Sequence, residues 1–367
     1  MINFEDYGIQ MWNQEKIISF RHTLLAWYDQ EKRDLPWRRT TNPYCIWISE
    51  IMLQQTQVKT VIPYYKRFLE TFPTLLDLAE AKEEELLKVW EGLGYYSRVR
   101  NMQIAARQIK DNFGGKFPEN HDDILSLQGI GPYTAGAIAS IAFNLPTPAV
   151  DGNVMRVMAR LFEVNYDIGD PKNRKIFQAI MEVLIDPVRP GDFNQALMDL
   201  GTDIESAKTP RPDESPIRYF SGAYLHGTMD KYPIKKPKRK PKPLSIAFFI
   251  IENEKGEFLL QKNTQARLLG GFWTFPLLEE KTSKSATKKA FQDIYSKEIS
   301  WQKMEVPTIT HIFSHQRWNI TIYKGNLKQA SIAETDTLKW VAHNDFHHFP
   351  FATPQKKVIE QYFKTIN

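Results

Sequence analysis

The sequence predicts two domains of different class, an all-α domain over residues 1–230 and an α+β domain over residues 245–367. In the first, apolar residues recur at helical spacing between breaks at Pro, Gly, Asp and Asn. In the second, short runs rich in β-branched and aromatic residues indicate strands. A length of 367 residues is enough for two domains, each with its own core.

Nine helical segments are predicted in the first domain from apolar spacings of three and four residues. They lie around Ile17–Trp27, Ile46–Phe68, Leu75–Leu87, Met102–Ile109, Ile124–Leu127, Thr134–Phe143, Val154–Phe162, Ile176–Leu184 and Phe193–Leu200. The second domain is predicted to open with a β-hairpin and to contain two further strands and two helices. These are Ile246–Ile251 and Glu257–Gln261, then Trp318–Tyr323 and Leu338–Ala342, with helices at Ser285–Tyr295 and Gln355–Phe363.

A basic, proline-rich linker over residues 231–244 joins the two domains. The stretch KYPIKKPKRKPKPLS at 231–245 holds seven basic residues and no acidic one, so it accounts for the net charge of +5. Alternating prolines favour an extended polyproline II conformation. Two interpretations stay open, a solvated spacer or a strap along a nucleic-acid backbone in which Lys236, Lys238 and Arg239 contact phosphates.

Composition excludes several classes of protein. A single cysteine, Cys45, leaves no disulfide framework and no thiolate metal cluster. No apolar run reaches the length of a membrane-spanning helix, and the N-terminal residues lack a secretory signal. We therefore expect a cytoplasmic protein that does not bind membranes.

The strongest functional signal is the turn LQGIGPYTAGA at Leu127–Ala137, followed by an Asp-Gly-Asn sequence. Glycines at 129 and 131 let a phosphate approach backbone N–H groups at the start of a helix. Asp151 precedes the next helical segment and is expected to cap it. A phosphate cradle and a carboxylate at fixed separation suit chemistry on a nucleic-acid sugar. The alternative is a helix hairpin whose glycines serve packing and whose Asp151 is only a cap.

Glu50 lies within the apolar run WISEIMLQQT at Trp47–Thr56. Crowding by Ile48 and Met52 is expected to raise the pKa of its carboxyl group, which then stays protonated near neutrality, as a general acid requires. The alternative is a glutamate on a solvent-facing helix surface.

A glycine-rich break follows at Glu91–Arg98, EGLGYYSR, with two tyrosines and an arginine. It is either a packed interhelical loop or a loop that inserts a tyrosine between bases and contacts phosphate.

Together these motifs resemble a known enzyme family. LQGIGPYTAGA with VDGN at Val150–Asn153 resembles the helix-hairpin-helix DNA glycosylases. DLPWR at Asp34–Arg38, SEIMLQQT at Ser49–Thr56 and EGLGYYSR narrow the resemblance to adenine DNA glycosylases of the MutY type, over essentially the whole chain. The hairpin is shared by many DNA repair proteins, whereas SEIMLQQT with GLGYYSR is highly specific. The resemblance implies an all-α helix-hairpin-helix glycosylase domain, two helical lobes with the active site between them, plus a C-terminal α+β Nudix-like domain.

The resemblance also implies a reaction and its residues. The enzyme would flip an adenine that lies opposite 8-oxoguanine or guanine out of duplex DNA and hydrolyse its N-glycosidic bond, leaving an abasic site. Glu50 would protonate adenine N7, and Asp151 would stabilise the oxocarbenium-like sugar. Asn153 would orient Asp151 or the attacking water, and Tyr133 would lie against the sugar and both acids. The resemblance also places an adenine pocket at Arg38, Trp37 and Gln195. It places DNA contacts at Gln55, Tyr95, Gly129, Gly131 and Thr56, with Thr56 near the unpaired base.

Tyr133 separates two chemistries. In endonuclease III-like relatives the corresponding residue is a lysine that forms a Schiff base and permits strand cleavage, and tyrosine cannot form that imine. We therefore expect a monofunctional glycosylase. Separately, we expect the protein to be a monomer. Two alternatives stay open, a bifunctional endonuclease III-like glycosylase and AP lyase, and a non-catalytic mismatch-binding protein.

In the second domain Phe313, Ser314 and His315 match the loop with which the family recognises 8-oxoguanine. Such a tripeptide is usually an ordinary loop, so only the match over the whole chain supports this role. The Ser314 hydroxyl can donate to or accept from a purine edge. The segment Ala286–Asp293 lacks the clustered glutamates of the Nudix box, so we expect no pyrophosphohydrolase activity.

The sequence departs from the family at the iron–sulfur cluster. Typical members ligate a [4Fe–4S] cluster through four cysteines spaced C-x6-C-x2-C-x5-C, where this chain has Glu205, Pro212, Ser215 and Ser221. None of these supplies a thiolate, so we expect no cluster and no other cofactor. We expect this loop to be held by apolar packing of Ile217, Tyr219, Phe220 and Tyr224, and by ion pairs among Glu205, Lys208, Arg211, Asp213, Glu214 and Arg218.

Overall fold

The computed structural model describes residues 2–237, 240–264, 268–302, 307–327 and 332–366. Its contacts divide the chain into two compact units. The helical unit comprises Met1–Glu80 with Arg100–Pro237, and the sheet unit comprises Ala81–Val99 with Lys238–Asn367. The predicted domain boundaries, 1–230, 231–244 and 245–367, stay a prediction.

Twelve α-helices occupy the described residues up to Leu225. They are α1 (Gln14–Glu31), α2 (Pro43–Leu53), α3 (Val58–Thr71), α4 (Leu75–Glu80), α5 (Glu83–Val89), α6 (Ser97–Asn112), α7 (His121–Ser126), α8 (Pro132–Phe143), α9 (Gly152–Leu161), α10 (Arg174–Leu184), α11 (Pro190–Asp203) and α12 (Gly222–Leu225). Several begin where a side chain satisfies free backbone N–H groups of the first turn. Asn13, Asn42 and Asn120 cap α1, α2 and α7 in this way.

Two predicted helices are each divided in the structure, so their predicted continuity is wrong. The segment around Ile46–Phe68 forms α2 and α3, because the chain turns sharply between them. Gln55 in that turn has a left-handed φ of 58°, which a continuing helix cannot accommodate. The segment around Leu75–Leu87 likewise forms α4 and α5. Apolar residues at helical spacing lie on both sides of each break, so the spacing alone does not show where each helix ends.

The helical unit has a core formed by α1, α9, α10 and α11. Its fully buried side chains include Phe20, Met158, Phe177 and Phe193. Helix α9 contributes buried residues at nearly every position from Val154 to Leu161. Because Asp151 is the N-cap of α9, this core fixes the position of that carboxylate.

Besides α5, the described part of the sheet unit contains one eight-stranded sheet and two further complete helices. The strands are β1 (Lys242–Glu252), β2 (Glu257–Lys262), β3 (Trp273–Thr274), β4 (Leu277–Glu279), β5 (Ile299–Gln302), β6 (Ile309–Ile312), β7 (Gln316–Leu327) and β8 (Leu338–Ala342), and the helices are α13 (Lys284–Tyr295) and α14 (Thr353–Ile366). The order β3-β2-β1-β7-β5 forms the sheet, with β4 beside β1, β6 beside β7 and β8 beside β2. β1 and β7 pair in parallel from Lys242↔Gln316 to Glu252↔Asn326.

Alternate residues of β1 enter two separate cores. Phe248 and Ile250 pack on one side, and Phe249 and Ile251 on the other. This burial of both sheet faces explains why the predicted strand is a continuous apolar run. The four predicted strands and both predicted helices of this domain are confirmed, and the short strands β3–β6 were not predicted.

Both ends of the predicted linker are ordered by hydrogen bonds. The Tyr232 carbonyl accepts from Arg160 Nε at 3.2 Å, and the Ile234 carbonyl accepts from the Ile168 amide at 3.0 Å. The last linker residues, from Lys242, belong to β1. Lys236 is exposed, while Lys238 and Arg239 lie outside the described residues. Within the described ranges, no helix has the length and apolar character needed to cross a membrane.

Candidate active site

Asp151 is the N-cap of α9. One carboxylate oxygen accepts from the amides of Asn153 and Val154 at 2.9 and 2.8 Å. The other oxygen accepts from Asn153 Nδ2 at 2.8 Å. Burial raises the pKa of Asp151 above its usual value, although these three hydrogen bonds and the charge of Arg156 favour the ionised form. The cap therefore places an oriented carboxylate in a desolvated site.

Glu50 is buried on α2, as crowding by its neighbours predicts. Its residue surface is 6% exposed, and Ile48 and Met52 are fully buried beside it. Burial raises the pKa of Glu50 to about 7, and the charge of Asp151 acts in the same direction. The hydrogen bond from Tyr133 and the charge of Arg38 oppose this shift without cancelling it. Near neutral pH a substantial fraction of Glu50 can therefore donate a proton.

Tyr133 joins the hairpin to Glu50. It is the second residue of α8, and its hydroxyl donates to Glu50 Oε2 at 2.6 Å. The same hydroxyl is 3.7 Å from Met198 Sδ on α11. Burial, together with the charges of Glu50 and Asp151, raises the pKa of Tyr133 well above its usual value. The phenol therefore stays a neutral donor beside both acids.

The turn between α7 and α8 needs glycine at one of its two positions. Gly129 has a φ of +78°, and a Cβ there would lie 2.6 Å from Asn101 Cβ. Gly131 has an ordinary extended backbone, and a Cβ there would meet nothing within 4 Å. Both glycines are exposed. Gly131 is therefore not required by packing, and its open surroundings suit the close approach of a ligand.

Asn153 is held by Arg156 of α9. Arg156 Nη2 donates to Asn153 Oδ1 at 2.7 Å. Since a guanidinium can only donate, the side-chain oxygen of Asn153 faces Arg156 and its NH₂ faces Asp151. Arg156 is anchored in turn by the carbonyls of Gly201 at 2.6 Å and Glu205 at 2.7 Å. Arg156 was not predicted as a site residue, because the two carbonyls that anchor it lie more than forty residues away along the chain.

Arg38 is fixed by a buried carboxylate that the sequence analysis did not identify. Its guanidinium donates to the two oxygens of Asp199 at 2.6 and 2.9 Å. Asp199 is 2% exposed and also pairs with Arg33. Helical spacing gave a signal for it, because Asp199 follows Gln195 by four residues on the largely buried helix α11.

The three predicted adenine-pocket residues have different surroundings. Arg38 is close enough to Glu50 for its charge to oppose the rise in that carboxyl's pKa. Gln195 is partly buried, and its Nε2 donates to the Gly191 carbonyl at 3.3 Å. Trp37 is 6% exposed and packs edge-on against Tyr65, with ring centroids 5.4 Å apart. Trp37 therefore forms part of the buried packing around Tyr65.

The loop at the four cluster-matching positions is tied to α9 by a buried ion pair. Glu205 accepts from Arg160 Nη1 at 2.6 Å, and both side chains are nearly inaccessible to solvent. Ser221 donates to the Arg160 carbonyl at 3.1 Å, and Ser215 is fully buried. Pro212 begins a short 3-10 helix. These residues do not fit an iron–sulfur cluster, because none supplies a thiolate and the Glu205 carboxylate is already paired. Within the described ranges no group of three His, Cys, Asp or Glu side chains could hold a metal ion.

The predicted interactions within this loop are partly confirmed. Arg211 pairs with Glu214 at 2.7 Å, Ile217 is buried, and Phe220 packs on Phe20. The prediction is wrong for Glu205, which pairs with α9 and not with a loop residue. It is also wrong for Tyr219, which is 66% exposed. The predicted apolar packing is also wrong for Tyr224, because its hydroxyl donates to Asp213 Oδ1 at 2.9 Å at the surface.

Gln55 and Tyr95 both occupy left-handed backbone conformations, with φ of 58° and 48°. Such conformations are costly for residues other than glycine and concentrate at functional sites. Gln55 is exposed at the turn after α2, with Thr56 partly buried beside it, and the Tyr95 side chain is 45% exposed. Arg98 is buried in the same loop as Tyr95 and donates to the Leu93 and Gly94 carbonyls, so it holds the loop and does not present a free cation.

Phe313, Ser314 and His315 form the turn between β6 and β7. The Phe313 amide donates to the Gln316 carbonyl at 2.7 Å, which closes the turn. Phe313 packs edge-on against Trp318 at a centroid distance of 4.9 Å, whereas Ser314 and His315 are exposed. Within the sheet unit the Ser314 hydroxyl lies 3.1 Å from the Tyr95 hydroxyl.

Comparison with known proteins gives matches along most of the chain. The family model described as "HhH-GPD superfamily base excision DNA repair protein" matches residues 48–184, and the model described as "NUDIX domain" matches residues 247–361. A curated relative from Rattus norvegicus, named adenine DNA glycosylase, is 33% identical over 94% of this chain and 78% of its own length. A relative of the same name from Buchnera aphidicola (strain APS) is 34% identical over 95% of this chain and 98% of its own length. A solved structure of a thermostable thymine-DNA glycosylase aligns with a TM-score of 0.52 and 28% identity, over 58% of this chain and 98% of that chain.

Proposed function

Because this chain belongs to the adenine DNA glycosylase family, base excision repair enzymes that act on adenine in DNA, we propose that it removes adenine opposite 8-oxoguanine or guanine through Glu50 and Asp151. The observation that carries this proposal is a pair of buried carboxyl groups that have different hydrogen-bond partners. Glu50 is buried with a pKa raised to about 7, whereas Asp151 accepts three hydrogen bonds that favour its charge. Environments that hold two carboxyl groups in different states assign one as acid and one as anion.

Glu50 supplies the proton that makes adenine a leaving group. Its protonated carboxyl donates to N7 of the flipped base, which weakens the bond between the base and the sugar. Tyr133 acts on the same carboxyl group, because its hydroxyl donates a hydrogen bond to Glu50 Oε2 at 2.6 Å. That bond positions the acid and also stabilises the carboxylate that forms once the proton is transferred.

Asp151 stabilises the positive charge that develops on the sugar as the base departs. Its carboxylate is oriented before the substrate binds, since the backbone of α9 and the Asn153 amide hold both oxygens. Asn153 is itself oriented by Arg156. Water then adds to the sugar and leaves an abasic site. Tyr133 supplies no amine at the hairpin, so the strand stays intact and the enzyme is monofunctional.

The DNA contacts are assigned to exposed residues of both units. Gly129 and Gly131 receive a phosphate at the start of α8, which has no side-chain cap at that end. Gln55 and Tyr95 wedge into the duplex where the adenine leaves the stack, with Thr56 beside the unpaired base. Lys236 and the linker contact the phosphate backbone. The enzyme acts as a monomer on chromosomal DNA in a bacterial cytoplasm.

The experiment that tests this function is a single-turnover assay on three duplexes. They carry adenine opposite 8-oxoguanine, adenine opposite guanine, and cytosine opposite 8-oxoguanine. Release of adenine, fastest from the first duplex, with an intact strand before alkali treatment, supports the proposal. Strand cleavage with efficient borohydride trapping would support the bifunctional alternative, and binding without base release would support a mismatch-binding protein.

The pH dependence of adenine release is expected to have an alkaline limb set by Glu50. The acid must be protonated to donate, so the rate should fall about tenfold per pH unit above about pH 7. On the acid side the rate should also fall, because Asp151 must be ionised and burial raises its pKa. Single-turnover rates measured from about pH 5 to about pH 9 test this. A rate that stays constant between neutral pH and the alkaline end of this range contradicts Glu50 as the acid.

Replacing both Ser314 and His315 with alanine is expected to reduce the preference for adenine opposite 8-oxoguanine over adenine opposite guanine. Both side chains are exposed at the closed turn between β6 and β7, where they can reach a purine edge. The ratio of adenine release opposite 8-oxoguanine to that opposite guanine should fall about tenfold. His347→Ala, which changes another exposed histidine of the sheet unit, is the control. An unchanged ratio in the double variant excludes the turn from recognition.

The loop from Glu205 to Ser221 works in this proposal without an iron–sulfur cluster. Its support is the chemistry of the four matching side chains and the pairing of Glu205 with Arg160. Iron analysis and the visible absorbance spectrum of purified protein test the point. Stoichiometric iron with a broad visible band would contradict it.

A further inference from the structure

Met198 on α11 lies beside the hydrogen bond that joins Tyr133 to Glu50, and the proposed reaction does not use it. Its Sδ is 3.7 Å from the Tyr133 hydroxyl oxygen, which donates to Glu50 Oε2 at 2.6 Å. A phenolic hydroxyl has one proton to donate, and a thioether sulfur is a weak acceptor. The proton is therefore directed at Glu50, and the sulfur does not draw it away.

Met198 is one of the described methionines that solvent reaches. Its side chain is partly exposed, although it also packs against the core formed by α1, α9, α10 and α11. Met11 and Met229 are partly exposed as well. Five other described methionines are at most 7% exposed: Met52, Met102, Met155, Met158 and Met181. Met198 therefore combines access from solvent with a position next to the proposed acid.

Oxidation would turn this weak acceptor into a strong one. A methionine sulfoxide carries a polar S–O group in place of an apolar thioether. The S–O bond is shorter than the 3.7 Å between Met198 Sδ and the Tyr133 hydroxyl oxygen. An oxygen on that side of the sulfur would therefore come within hydrogen-bonding distance of the hydroxyl. The single proton of Tyr133 would then have two strong acceptors, and Glu50 would receive it for only part of the time.

Glu50 depends on this hydrogen bond once it has given up its proton. The bond favours the carboxylate and opposes the rise in the pKa of Glu50 that burial causes. The charge of Asp151 raises the pKa of Glu50, and the charge of Arg38 lowers it. Oxidation of Met198 changes neither charge. Its expected signature is slower release of adenine, together with an alkaline limb that moves to higher pH.

We propose that Met198 is a modification site for hydrogen peroxide, and that its sulfoxide slows adenine release by competing with Glu50 for the Tyr133 hydroxyl. The sulfur attacks one peroxide oxygen, an S–O bond forms and the O–O bond breaks. The proton on the transferred oxygen passes to the departing hydroxide, which leaves as water. The sulfur is oxidised by two electrons and the peroxide is reduced. The effect on release rests on the proposed function, whereas the oxidation itself does not.

Peroxide treatment of the full chain, followed by mass spectrometry and single-turnover assays, tests the proposal. Dithiothreitol is added before the assays, because it reverses a sulfenic acid at the partly exposed Cys45 and leaves methionine sulfoxide in place. Met198 should be oxidised, adenine release should slow about tenfold, and the alkaline limb should move to higher pH. An unmodified Met198 under conditions that oxidise Met229 overturns the proposal. Equal rates for untreated and oxidised protein overturn it as well.

Three variants assign the effect to this residue, and the first two are compared by the ratio of treated to untreated rate. Met198→Leu has no sulfur to oxidise at similar volume, so its ratio should stay close to unity. Met229→Leu, on the 3-10 helix Met229–Lys231, is the matched control and should slow as the wild type does. Met198→Gln carries a permanent oxygen acceptor and should be slow before treatment, with the same movement of the alkaline limb. Equal slowing of Met198→Leu and Met229→Leu by peroxide overturns the proposal.

Failure of this inference is distinguishable from failure of the proposed function. Untreated wild-type protein that releases no adenine contradicts the glycosylase function, and this inference with it. Untreated protein that releases adenine, at a rate that sulfoxide at Met198 does not change, contradicts only the role of Met198.

Discussion

Replacing Asp151 with asparagine is expected to lower adenine release by about a thousandfold or more while DNA binding is retained. The variant loses the negative charge that stabilises the sugar as the base departs. It keeps the side-chain oxygen that accepts from the amides of Asn153 and Val154. Asparagine caps helices as well as aspartate does, so α9 should stay folded. Single-turnover release and duplex affinity, measured on the same preparation, separate the two effects.

Asp170→Asn is the matched control for this prediction. Asp170 is also an N-cap, and its side chain accepts from the Lys172 amide at 3.0 Å, but it is exposed on the 3-10 helix before α10. Its replacement should leave adenine release at the wild-type rate. Adenine release by Asp151→Asn within about tenfold of wild type would show that the charge of Asp151 is not used.

Replacing Glu205 with glutamine is expected to destabilise the helical unit by about 3–5 kcal/mol. The two side chains are nearly inaccessible to solvent. The variant therefore leaves the Arg160 guanidinium buried without its counter-charge. The Glu205 carbonyl also accepts from Arg156, which orients Asn153. Movement of this loop should therefore lower the rate of adenine release as well as the unfolding temperature. Thermal unfolding followed by circular dichroism measures the first effect.

Glu214→Gln provides the control within the same loop. Glu214 pairs with Arg211 at 2.7 Å, but both side chains are more than half exposed. Water screens such a pair, so its loss should cost less than about 1 kcal/mol. Equal destabilisation by Glu205→Gln and Glu214→Gln would contradict the structural role assigned to the buried pair.

Local features of the sequence were sufficient to identify the two carboxyl groups. Glu50 stands in an apolar run that predicts its burial, and Asp-Gly-Asn before an apolar-periodic segment predicts a helix cap at Asp151. Both features arise within a few residues of chain. The same holds for the hairpin at Gly129, whose left-handed φ only glycine adopts without strain.

The partners that hold these groups could not be predicted from local pattern. Arg38 and Asp199 are 161 residues apart, and Arg160 and Glu205 are 45 apart. Spacing along the chain determines which residues share a helix face, but it does not determine which distant charge meets them. For this reason Glu205 was predicted to pair within its own loop.

The short strands and the divided helices were missed for a related reason. Strands β3–β6 have two to four residues each, too few for an alternating pattern to appear. The break at Gln55 depends on a backbone conformation that glutamine rarely adopts, so its residue type gives no warning of it.

The most direct test is single-turnover release of adenine from a duplex with adenine opposite 8-oxoguanine, with iron measured in the same wild-type preparation. The buried acid at Glu50 and the capped carboxylate at Asp151 predict release of free adenine from an intact strand by iron-free protein, in which the Arg160–Glu205 pair ties the loop at the cluster-matching positions to α9. Iron-free protein that binds this duplex and releases no adenine would contradict that prediction.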